Sequence, residues 1–439
     1  MPKKKEKKEH APKKEHTAFQ PPRGMRDVLP WEAPWWDRVT RVARELAESY
    51  NFAPIDTPIL ESADLFERGV GTDTDVVQKE MYTLKTKGGD RLVLRPEGTA
   101  PVARAYLANH LSRLAQPQKL FYQGPFFRHE NPQAGRMRQF TQVGFEVIGG
   151  ANDPMYDAQV ILLFQRLLDE LRIKNVMLKI NSIGCRVCRP LYKRQLQTYY
   201  KPHEKKLCGD CLRRLKTNPL RLLDCKKESC TELKKNSPNF FDRLCAVCST
   251  HLKGALEYLD ELKIPYSLDN HLVRGLDYYS KTVFEFFVEG PGSEVGALPA
   301  GGRYDYLIEM IGGRMTPAVG GACGVERLIH VMKAQEVKLP TRSPKKVFLI
   351  HVGEQAKKKS LPLVEELRKA GVSVAESLGR ESLRAQLKAA DRGGIELALI
   401  LGQREIFEDS IIVRNLRTSL QETIPLRTLV EEVKKRSRA

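Results

Sequence analysis

Residues 119–148 have the sequence KLFYQGPFFRHENPQAGRMRQFTQVGFEVI, two apolar, aromatic-rich runs on either side of a polar segment. The runs cover 119–128 and 136–148, and the segment 129–135 between them contains proline and glycine. This pattern predicts two antiparallel strands joined by a long loop. Alternation in the second strand puts one set of side chains on each face of the sheet. The first face carries Gln142, Gly144 and Glu146, and the second carries Val143, Phe145 and Val147.

The rest of the first 333 residues predicts further elements of an α+β fold, in which helices flank this antiparallel sheet. The expected elements are a helix at 31–50, an edge strand within 51–60, a strand from Leu92 that leads into a helix ending near Asn109, a helix at 156–171 and the strand Val176–Ile180. Farther along we expect a strand pair at 272–287, a turn into a helix at 301–304, and a glycine-rich strand feeding an amphipathic helix at 319–332.

The C-terminal part of the chain predicts a second domain. Residues 334–345 contain Pro340 and Pro344 among charged and polar residues, a composition typical of a linker. Beyond it, four strand-like runs alternate with helical stretches over 346–439, which indicates a small mixed α/β domain. From 345 to 439 there are nineteen Lys or Arg against thirteen Asp or Glu, a modest excess that is consistent with contact with RNA.

Composition sets the protein class. The chain has 439 residues with 41% hydrophobic and 29% charged side chains, which predicts a soluble globular protein of several domains. Its longest apolar stretches fall short of the ~20 residues that span a bilayer, and its first residues contain no apolar signal core. We therefore expect a cytoplasmic protein without a membrane span. The net charge of +19 favours a phosphate-rich partner.

The basic N-terminal tail, residues 1–19, is predicted to be disordered because it has many lysines and almost no apolar side chains. It is either a solubilising extension or an arm that contacts RNA without sequence preference.

A basic, cysteine-rich insert is predicted at 185–250. This segment holds sixteen Lys or Arg against six Asp or Glu, so it is the best candidate for a nucleic-acid surface. It also holds eight of the nine cysteines, as the pairs Cys185 and Cys188, Cys208 and Cys211, Cys225 and Cys230, and Cys245 and Cys248. Close pairs let two thiolates reach one tetrahedral Zn²⁺, so four pairs suffice for two structural sites. Disulfides and free thiols are the alternatives.

Several stretches, taken together, resemble the class II aminoacyl-tRNA synthetases, and among those the histidyl-tRNA synthetase family. The stretches that carry the class resemblance are Ile55-Asp56-Thr57-Pro58, Phe127-Arg128-His129-Glu130 continuing through Arg136 to Phe145, and Gly320-Gly321-Ala322-Cys323-Gly324-Val325-Glu326-Arg327. Those similar to the histidine family are Arg23-Gly24-Met25-Arg26-Asp27, Leu272-Val273-Arg274-Gly275-Leu276-Asp277-Tyr278-Tyr279 and Ala300-Gly301-Gly302-Arg303-Tyr304-Asp305. The resemblance covers about residues 20–439.

The resemblance implies a site for histidine and ATP. Glu97, with Gly98 and Thr99, would hold the α-amino group of histidine with help from Gln142, while Glu146 and Tyr278, beside Tyr279, would hold the imidazole. Arg274 and Arg128 would be the catalytic residues, contacting the α-phosphate and the substrate carboxylate. The remaining ATP contacts would come from Glu130 and Arg327, and Mg²⁺ would balance the charge of the departing pyrophosphate.

The implied reaction joins L-histidine to tRNA(His) through histidyl-adenylate, in a two-fold homodimer whose first motif lies at the dimer interface. The domains implied are a catalytic domain over 20–333, interrupted by the insert at 185–250 over the tRNA acceptor arm, and an anticodon-binding domain over 346–439. Two alternatives are a catalytically silent relative that regulates histidine biosynthesis and a zinc-dependent RNA-binding module that senses tRNA. The presence of Arg128, Arg274, Arg327 and the C-terminal domain disfavours the first.

Overall fold

The computed structural model describes residues 19–339, 346–380 and 382–438, and the chain divides into the units Met1–Leu339 and Pro340–Ala439. The strands of the first unit are β1 (Ala53–Pro54), β2 (Leu60–Ser62), β3 (Tyr82–Lys85), β4 (Arg91–Leu94), β5 (Gln118–Phe127), β6 (Gln139–Ile148), β7 (Val176–Ser182), β8 (Tyr266–Leu268), β9 (Ser280–Val288), β10 (Ala300–Arg303) and β11 (Ala318–Gly324). Its helices are α1 (Ala33–Ser49), α2 (Ala63–Gly69), α3 (Thr99–Ala108), α4 (Met155–Glu170), α5 (Cys188–Tyr200), α6 (Gly209–Thr217), α7 (Glu228–Lys235), α8 (Ala246–Glu261), α9 (Leu307–Met310) and α10 (Val325–Ala334).

The main sheet of the first unit grows from the predicted hairpin. β5 pairs antiparallel with β6 over the full length of both strands, and the sheet order is β1-β5-β6-β11-β10-β9-β7-β8. The six central strands are antiparallel, while the short edge strands β1 and β8 pair in parallel with β5 and β7. A separate three-stranded sheet, β2-β4-β3, leads into α3. The antiparallel sheet flanked by helices is therefore confirmed.

The two faces of the main sheet carry different cores. Val143, Phe145 and Val147 pack with residues of α1, α4 and α10, as the alternation in β6 predicts. The opposite face packs with α2, α3 and the helices of the insert. The chain between β7 and β8 contains α5 to α8 and, among its described residues, no strand.

Two predicted elements differ from the structure. Residues 272–279 form neither helix nor strand, and only β9 of the expected pair exists, because the backbone amide of Asp277 bonds to Val70 O at 3.0 Å instead of to a neighbouring strand. The glycines of 301–304 belong to β10, between β9 and β11, rather than to a turn. A Cβ on Gly301 would lie 2.2 Å from Gly320 O, so glycine is required by strand packing there.

The second unit is a mixed five-stranded sheet covered by helices. Its strands are β12 (Lys346–His351), β13 (Ser373–Glu376), β14 (Leu397–Leu401), β15 (Ser410–Asn415) and β16 (Gln421–Pro425), in the order β13-β12-β14-β15-β16. Its helices are α11 (Glu354–Lys369), α12 (Leu383–Arg392), α13 (Gln403–Phe407) and α14 (Leu429–Arg438). The mixed α/β character is confirmed, and β16 is an addition to the four predicted strands.

Two predicted segments fall largely outside the described residues, namely the basic tail up to residue 18 and the linker from 340 to 345. Within the ranges that the structure does describe, the search for a helix long and apolar enough to cross a membrane finds none.

Candidate active site

A cleft of about 900 Å³ opens over the polar face of the main sheet. Its walls come from the β5–β6 loop, the end of β11, residues 271–276 and the insert. The predicted site residues that line it are Arg128, Glu130, Gln142, Arg274 and Arg327. The structure thus brings predicted side chains from four separate stretches of sequence to one opening.

The remaining predicted residues form a buried floor next to this cleft. Glu146 is fully buried, and its two carboxylate oxygens accept hydrogen bonds from Thr99 Oγ1 at 2.7 Å and from the Tyr304 hydroxyl at 2.5 Å. The Tyr278 hydroxyl donates to Glu97 Oε2 at 3.3 Å. The ring of Tyr279 lies 4.6 Å from that of Tyr278 and beneath the Arg274 guanidinium, which connects the floor to the cleft.

Glu97 is positioned by the start of α3. It follows β4 through the extended Arg95-Pro96 step, and its two carboxylate oxygens accept the backbone amides of Thr99 and Ala100, each at 2.8 Å. Its carboxylate therefore satisfies amide groups that the first helical turn leaves free. Burial raises the pKa of Glu97, and those two amides oppose the rise.

Glycines allow the floor to pack closely. A Cβ on Gly98 would lie 2.3 Å from the Tyr122 ring, and one on Gly144 would lie 2.2 Å from the same ring. Gly98 therefore contributes space, not a contact of its own. The Tyr122 hydroxyl and Gln142 Oε1 are buried and have no hydrogen-bond partner among the described residues, so both are available to a ligand.

Tyr122 and Tyr304 were missed by the sequence interpretation. Tyr304 lies in a stretch that the family resemblance includes, but the expected turn at 301–304 gave it no place in the site. Tyr122 faces the same side of the sheet as Glu146, because it stands opposite Gly144 in the β5–β6 register. The alternation of side chains along β5, followed in the same way as that along β6, would have placed Tyr122 on the site face.

Three arginines form the cationic rim of the cleft. Arg128 Nε donates to Pro96 O at 2.8 Å, and Arg327 donates from Nε to Gly135 O at 2.8 Å and from Nη1 to Ala297 O at 2.6 Å. Arg274 is bonded to the Glu285 carboxylate. Burial lowers the pKa of Arg327, and the neighbouring Arg136 adds to this. A cationic rim above an acidic floor suits a zwitterionic amino acid beside a polyphosphate.

The electrostatics of Glu146 give a testable pH dependence. Burial, opposed by the Tyr304 and Thr99 hydroxyls, raises the pKa of Glu146 from 4.5 to about 8. Between these values the folded chain keeps a proton that the unfolded chain has lost, so this group's contribution to stability is complete below pH 4.5 and is lost as the pH rises towards 8. Glu146→Gln removes this dependence. The free energy of unfolding of the variant minus that of the wild type should therefore rise by about 1.4 kcal/mol for each pH unit in that window.

Urea unfolding of both proteins at about pH 5 and about pH 8 measures this difference. Titrating groups that do not interact with Glu146 behave alike in both proteins and cancel. If the unfolding midpoints of the wild type and Glu146→Gln change with pH in parallel, the carboxyl is ionised throughout the window and the assigned pKa is wrong.

The eight paired cysteines gather into two groups. The proximal cluster comprises Cys185, Cys188, Cys245 and Cys248, and the distal cluster comprises Cys208, Cys211, Cys225 and Cys230. Within each cluster the four Sγ atoms lie within 4.8 Å of one another. The arrangement of four pairs into two four-cysteine groups agrees with the sequence prediction and shows which pairs combine.

Comparisons with known proteins identify the family. A sequence model described as "Histidyl-tRNA synthetase" matches residues 24–328, and one described as "Anticodon binding domain" matches residues 346–436. The chain belongs to the histidyl-tRNA synthetase family. Curated relatives named histidine–tRNA ligase include one from Dehalococcoides mccartyi, 46% identical and covering 95% of this chain and 99% of the relative. Another from Halothermothrix orenii is 45% identical, covering 94% and 98%.

The fold agrees with a solved structure of the family. The crystal structure of apo S. aureus histidyl-tRNA synthetase matches with a TM-score of 0.79 at 34% identity, covering 94% of this chain and 99% of that one. The enzyme is a class II histidine–tRNA ligase, which joins L-histidine to tRNA(His) with ATP through histidyl-adenylate and releases AMP and pyrophosphate. The family implies Mg²⁺ with the ATP, and the comparisons do not support the catalytically silent regulatory relative.

Proposed function

We propose that the acidic floor binds histidine and that the arginine rim binds ATP and the histidine carboxylate. The observation that carries this assignment is the buried pair Glu97 and Glu146 next to a cleft lined by Arg128, Arg274 and Arg327. The ammonium and imidazole of histidine suit the carboxylates, while its carboxylate and the triphosphate suit the guanidinium groups.

Within the floor, Glu97, Thr99 and Gln142 hold the α-amino group, and Glu146 and Tyr278 hold the imidazole. The unpartnered Gln142 Oε1 supports the first assignment because it is an acceptor without a donor. The hydrogen bonds cross between the two sets, since Thr99 bonds to Glu146 and Tyr278 bonds to Glu97, so the floor acts as one network. An apolar amino acid of similar size would leave the Tyr122 hydroxyl and Gln142 Oε1 buried without partners, which is strongly unfavourable.

In the cleft, Arg128 and Arg274 orient the α-phosphate and the histidine carboxylate so that a carboxylate oxygen attacks phosphorus and pyrophosphate leaves on the opposite side. The guanidinium groups stabilise the negative charge on the phosphoryl oxygens. Arg327 and Glu130 contact the rest of the nucleotide. Mg²⁺, when bound, would neutralise the charge of the pyrophosphate. Glu130 and Glu326 would be suitable ligands, because Mg²⁺ prefers oxygen atoms. Glu326 Oε2 has no hydrogen-bond partner among the described residues.

Two histidine analogues separate the roles in the floor. Histidinol keeps the amino group and the ring, whereas imidazolepropionate lacks the amino group, and both can be tested as competitive inhibitors of histidine-dependent pyrophosphate exchange into ATP. Gln142→Ala should raise the inhibition constant of histidinol by about tenfold, because one hydrogen bond is lost, and should leave that of imidazolepropionate unchanged. Glu146→Gln should raise the inhibition constants of both analogues by a similar factor, because both contain the ring.

Two results would change these assignments. If Gln142→Ala raises the inhibition constants of both analogues equally, Gln142 does not bind the amino group. If Glu146→Gln raises the inhibition constant of histidinol alone, Glu146 binds the amino group and not the ring. The wild type, assayed with histidine and with each other amino acid, provides the reference for specificity.

Each cysteine cluster is proposed to hold one structural Zn²⁺. Tetrahedral zinc with Zn–S bonds of about 2.3 Å separates its sulfurs by about 3.8 Å. The Sγ–Sγ distances are 3.6 Å for Cys185–Cys188, 3.8 Å for Cys185–Cys245, 3.6 Å for Cys188–Cys248 and 3.9 Å for Cys208–Cys225. A disulfide needs about 2.0 Å, so the geometry favours metal over disulfides. Four thiolates leave no position open for catalysis.

The surfaces for tRNA are proposed from charge. The basic insert at 185–250 would contact the acceptor arm, and the basic domain at 346–439 would read the anticodon. We further propose a cytoplasmic location, where tRNA and ATP are available, and retain both interpretations of the basic tail at 1–19.

A homodimer is proposed with the first motif at its interface. Ile59 and Leu60, directly after Pro58, expose 44% and 45% of their surface, and Leu84 on the same small sheet exposes 45%. Apolar side chains grouped on one exposed sheet suit a subunit interface.

A further inference from the structure

The cysteine insert contacts the catalytic centre directly. We call residues 272–279, which carry Arg274 and Tyr278, the catalytic segment. It has no helix or strand of its own, so its shape depends on contacts with neighbouring parts of the chain. Three of those hydrogen-bonded contacts come from the insert, and two of the three connect the stretch beside the distal cluster to this segment.

Two side chains between Cys211 and Cys225, Asn218 and Arg221, contact the catalytic segment, and a third, Arg214, joins Arg221 at Asp75. Arg221 Nη1 donates to Gly275 O at 2.8 Å, and Asn218 Nδ2 donates to Asp277 Oδ1 at 2.8 Å. Arg214 and Arg221 both bond to Asp75 Oδ2, at 2.6 and 2.8 Å. Arg221 is only 7% exposed and Asn218 only 5%, so these are packed contacts and not mobile surface pairs. On the proximal side, Arg189 donates to Tyr279 O.

Asp75 extends the connection to the other catalytic arginine. It stands at the start of the helical turn Val76–Glu80, and Glu80 O accepts the backbone amide of His129 at 2.7 Å, next to Arg128. Although burial disfavours its charge, Arg214 and Arg221 lower the pKa of Asp75 below the ordinary value, so it is a carboxylate at neutral pH. One set of insert side chains is therefore linked to the chain around both Arg274 and Arg128.

The distal cluster fixes the ends of the stretch that carries these side chains. Cys208 and Cys211 stand at the start of α6, which carries Arg214, and Cys225 follows Arg221 by four residues. The stretch is only one short helix and one 3-10 turn, which by themselves have little stability. A metal that joins both ends would restrict the stretch to a single arrangement.

We propose that metal binding in the distal cluster holds Arg214, Asn218 and Arg221 against Asp75 and the catalytic segment, and thereby sets the rate of adenylate formation. The three side chains are positioning residues, since they act through Arg274 and Arg128. The inference rests on the zinc sites proposed above and adds a role for the distal site in the first half-reaction, which needs no tRNA.

The test compares Arg221→Ala, Cys225→Ser and the double variant in pyrophosphate exchange without tRNA, with metal content measured on each purified protein. The wild type should contain two zinc ions per chain, Arg221→Ala two and Cys225→Ser one. Misplacement of a catalytic group by about 1 Å costs about 100-fold, so each single variant should lose up to that factor in kcat. Because both act through the same contacts, the double variant should be no slower than the slower single variant.

Arg213→Ala is the matched control. Arg213 lies beside Arg214 on α6, but it is 46% exposed and pairs only with Asp210 among the described residues. Its removal should leave the exchange rate and the two zinc ions unchanged. Exchange rates for Arg221→Ala equal to those of Arg213→Ala would overturn the positioning role, whatever the metal content.

The remaining outcomes are also decisive. Losses that multiply in the double variant would mean that the metal and Arg221 act separately, which contradicts the proposal. Loss of one zinc from Cys225→Ser with normal exchange would remove the metal from adenylate formation but leave the zinc sites intact. A wild-type chain without zinc or iron would refute the metal sites and the metal-dependent step, while slow exchange in Arg221→Ala would still establish the contact itself.

Discussion

Arg274→Ala should reduce histidine-dependent pyrophosphate exchange by about a thousandfold, the upper range for removing one group that stabilises charge in the transition state. Arg274 lines the cleft, lies over the Tyr279 ring and is bonded to Glu285. These contacts hold its guanidinium at the cleft, beside the floor proposed to bind histidine. Alanine removes the charge and leaves Glu285 without its partner.

The loss should appear in kcat for exchange while the protein remains folded. The matched control is Arg166→Ala, which removes an arginine that pairs with Asp169 on the exposed side of α4. Arg166→Ala should exchange pyrophosphate at the wild-type rate. Near-normal turnover by folded Arg274→Ala would exclude Arg274 from the mechanism. If instead Arg274→Ala lowers the unfolding temperature by tens of degrees, its main role is structural.

Gly320→Ala should also strongly reduce histidine-dependent exchange, by a steric route. A Cβ at this position in β11 would lie 1.6 Å from Glu146 Oε2 and 2.7 Å from Phe145 O. The second atom is backbone of the paired strand β6 and cannot move without shifting the sheet. The added methyl must therefore displace the Glu146 carboxylate from Tyr304, and we expect a loss of at least about a hundredfold in kcat/KM for histidine.

Gly88→Ala is the control for Gly320→Ala, because its Cβ would have ordinary contacts beginning at 3.6 Å on an exposed hairpin. This variant should retain wild-type kcat/KM. Gly320→Ser should be at least as impaired as Gly320→Ala, since it is larger. Wild-type histidine kinetics in soluble Gly320→Ala would mean that Glu146 does not occupy its observed position during catalysis.

The periodicity of the sequence predicted those elements whose faces are set by neighbouring residues, such as β6. The alternation in β6 placed Glu146 on the site face and Phe145 in the core, because a strand has only two faces. The catalytic segment was predicted wrongly as a strand because its hydrogen-bond partners, Val70 and the insert residues Asn218 and Arg221, are distant in sequence. β16 was missed because Ile424 is its only buried residue.

In the site, too, the sequence indicated individual residues, whereas their contacts depend on tertiary packing. Family motifs indicated Arg128, Arg274 and Arg327, and the structure brings all three to one cleft. The partners within the floor did not follow from motifs, since Thr99 and Tyr304 meet Glu146 only through tertiary packing. Cysteine spacing likewise predicted four pairs but not which pairs combine, because that depends on how the insert folds back on itself.

The raised pKa of Glu146 has a consequence for the empty enzyme. At neutral pH the Glu146 carboxyl of the vacant floor is mostly protonated, so this group buries little bare charge. Under the proposed assignment it faces the imidazole of histidine, which is mostly neutral at that pH and has one ring nitrogen that accepts a hydrogen bond. The protonated carboxyl can donate that bond, so the empty floor already carries the donor that the ring needs, and an apolar side chain offers no acceptor for it.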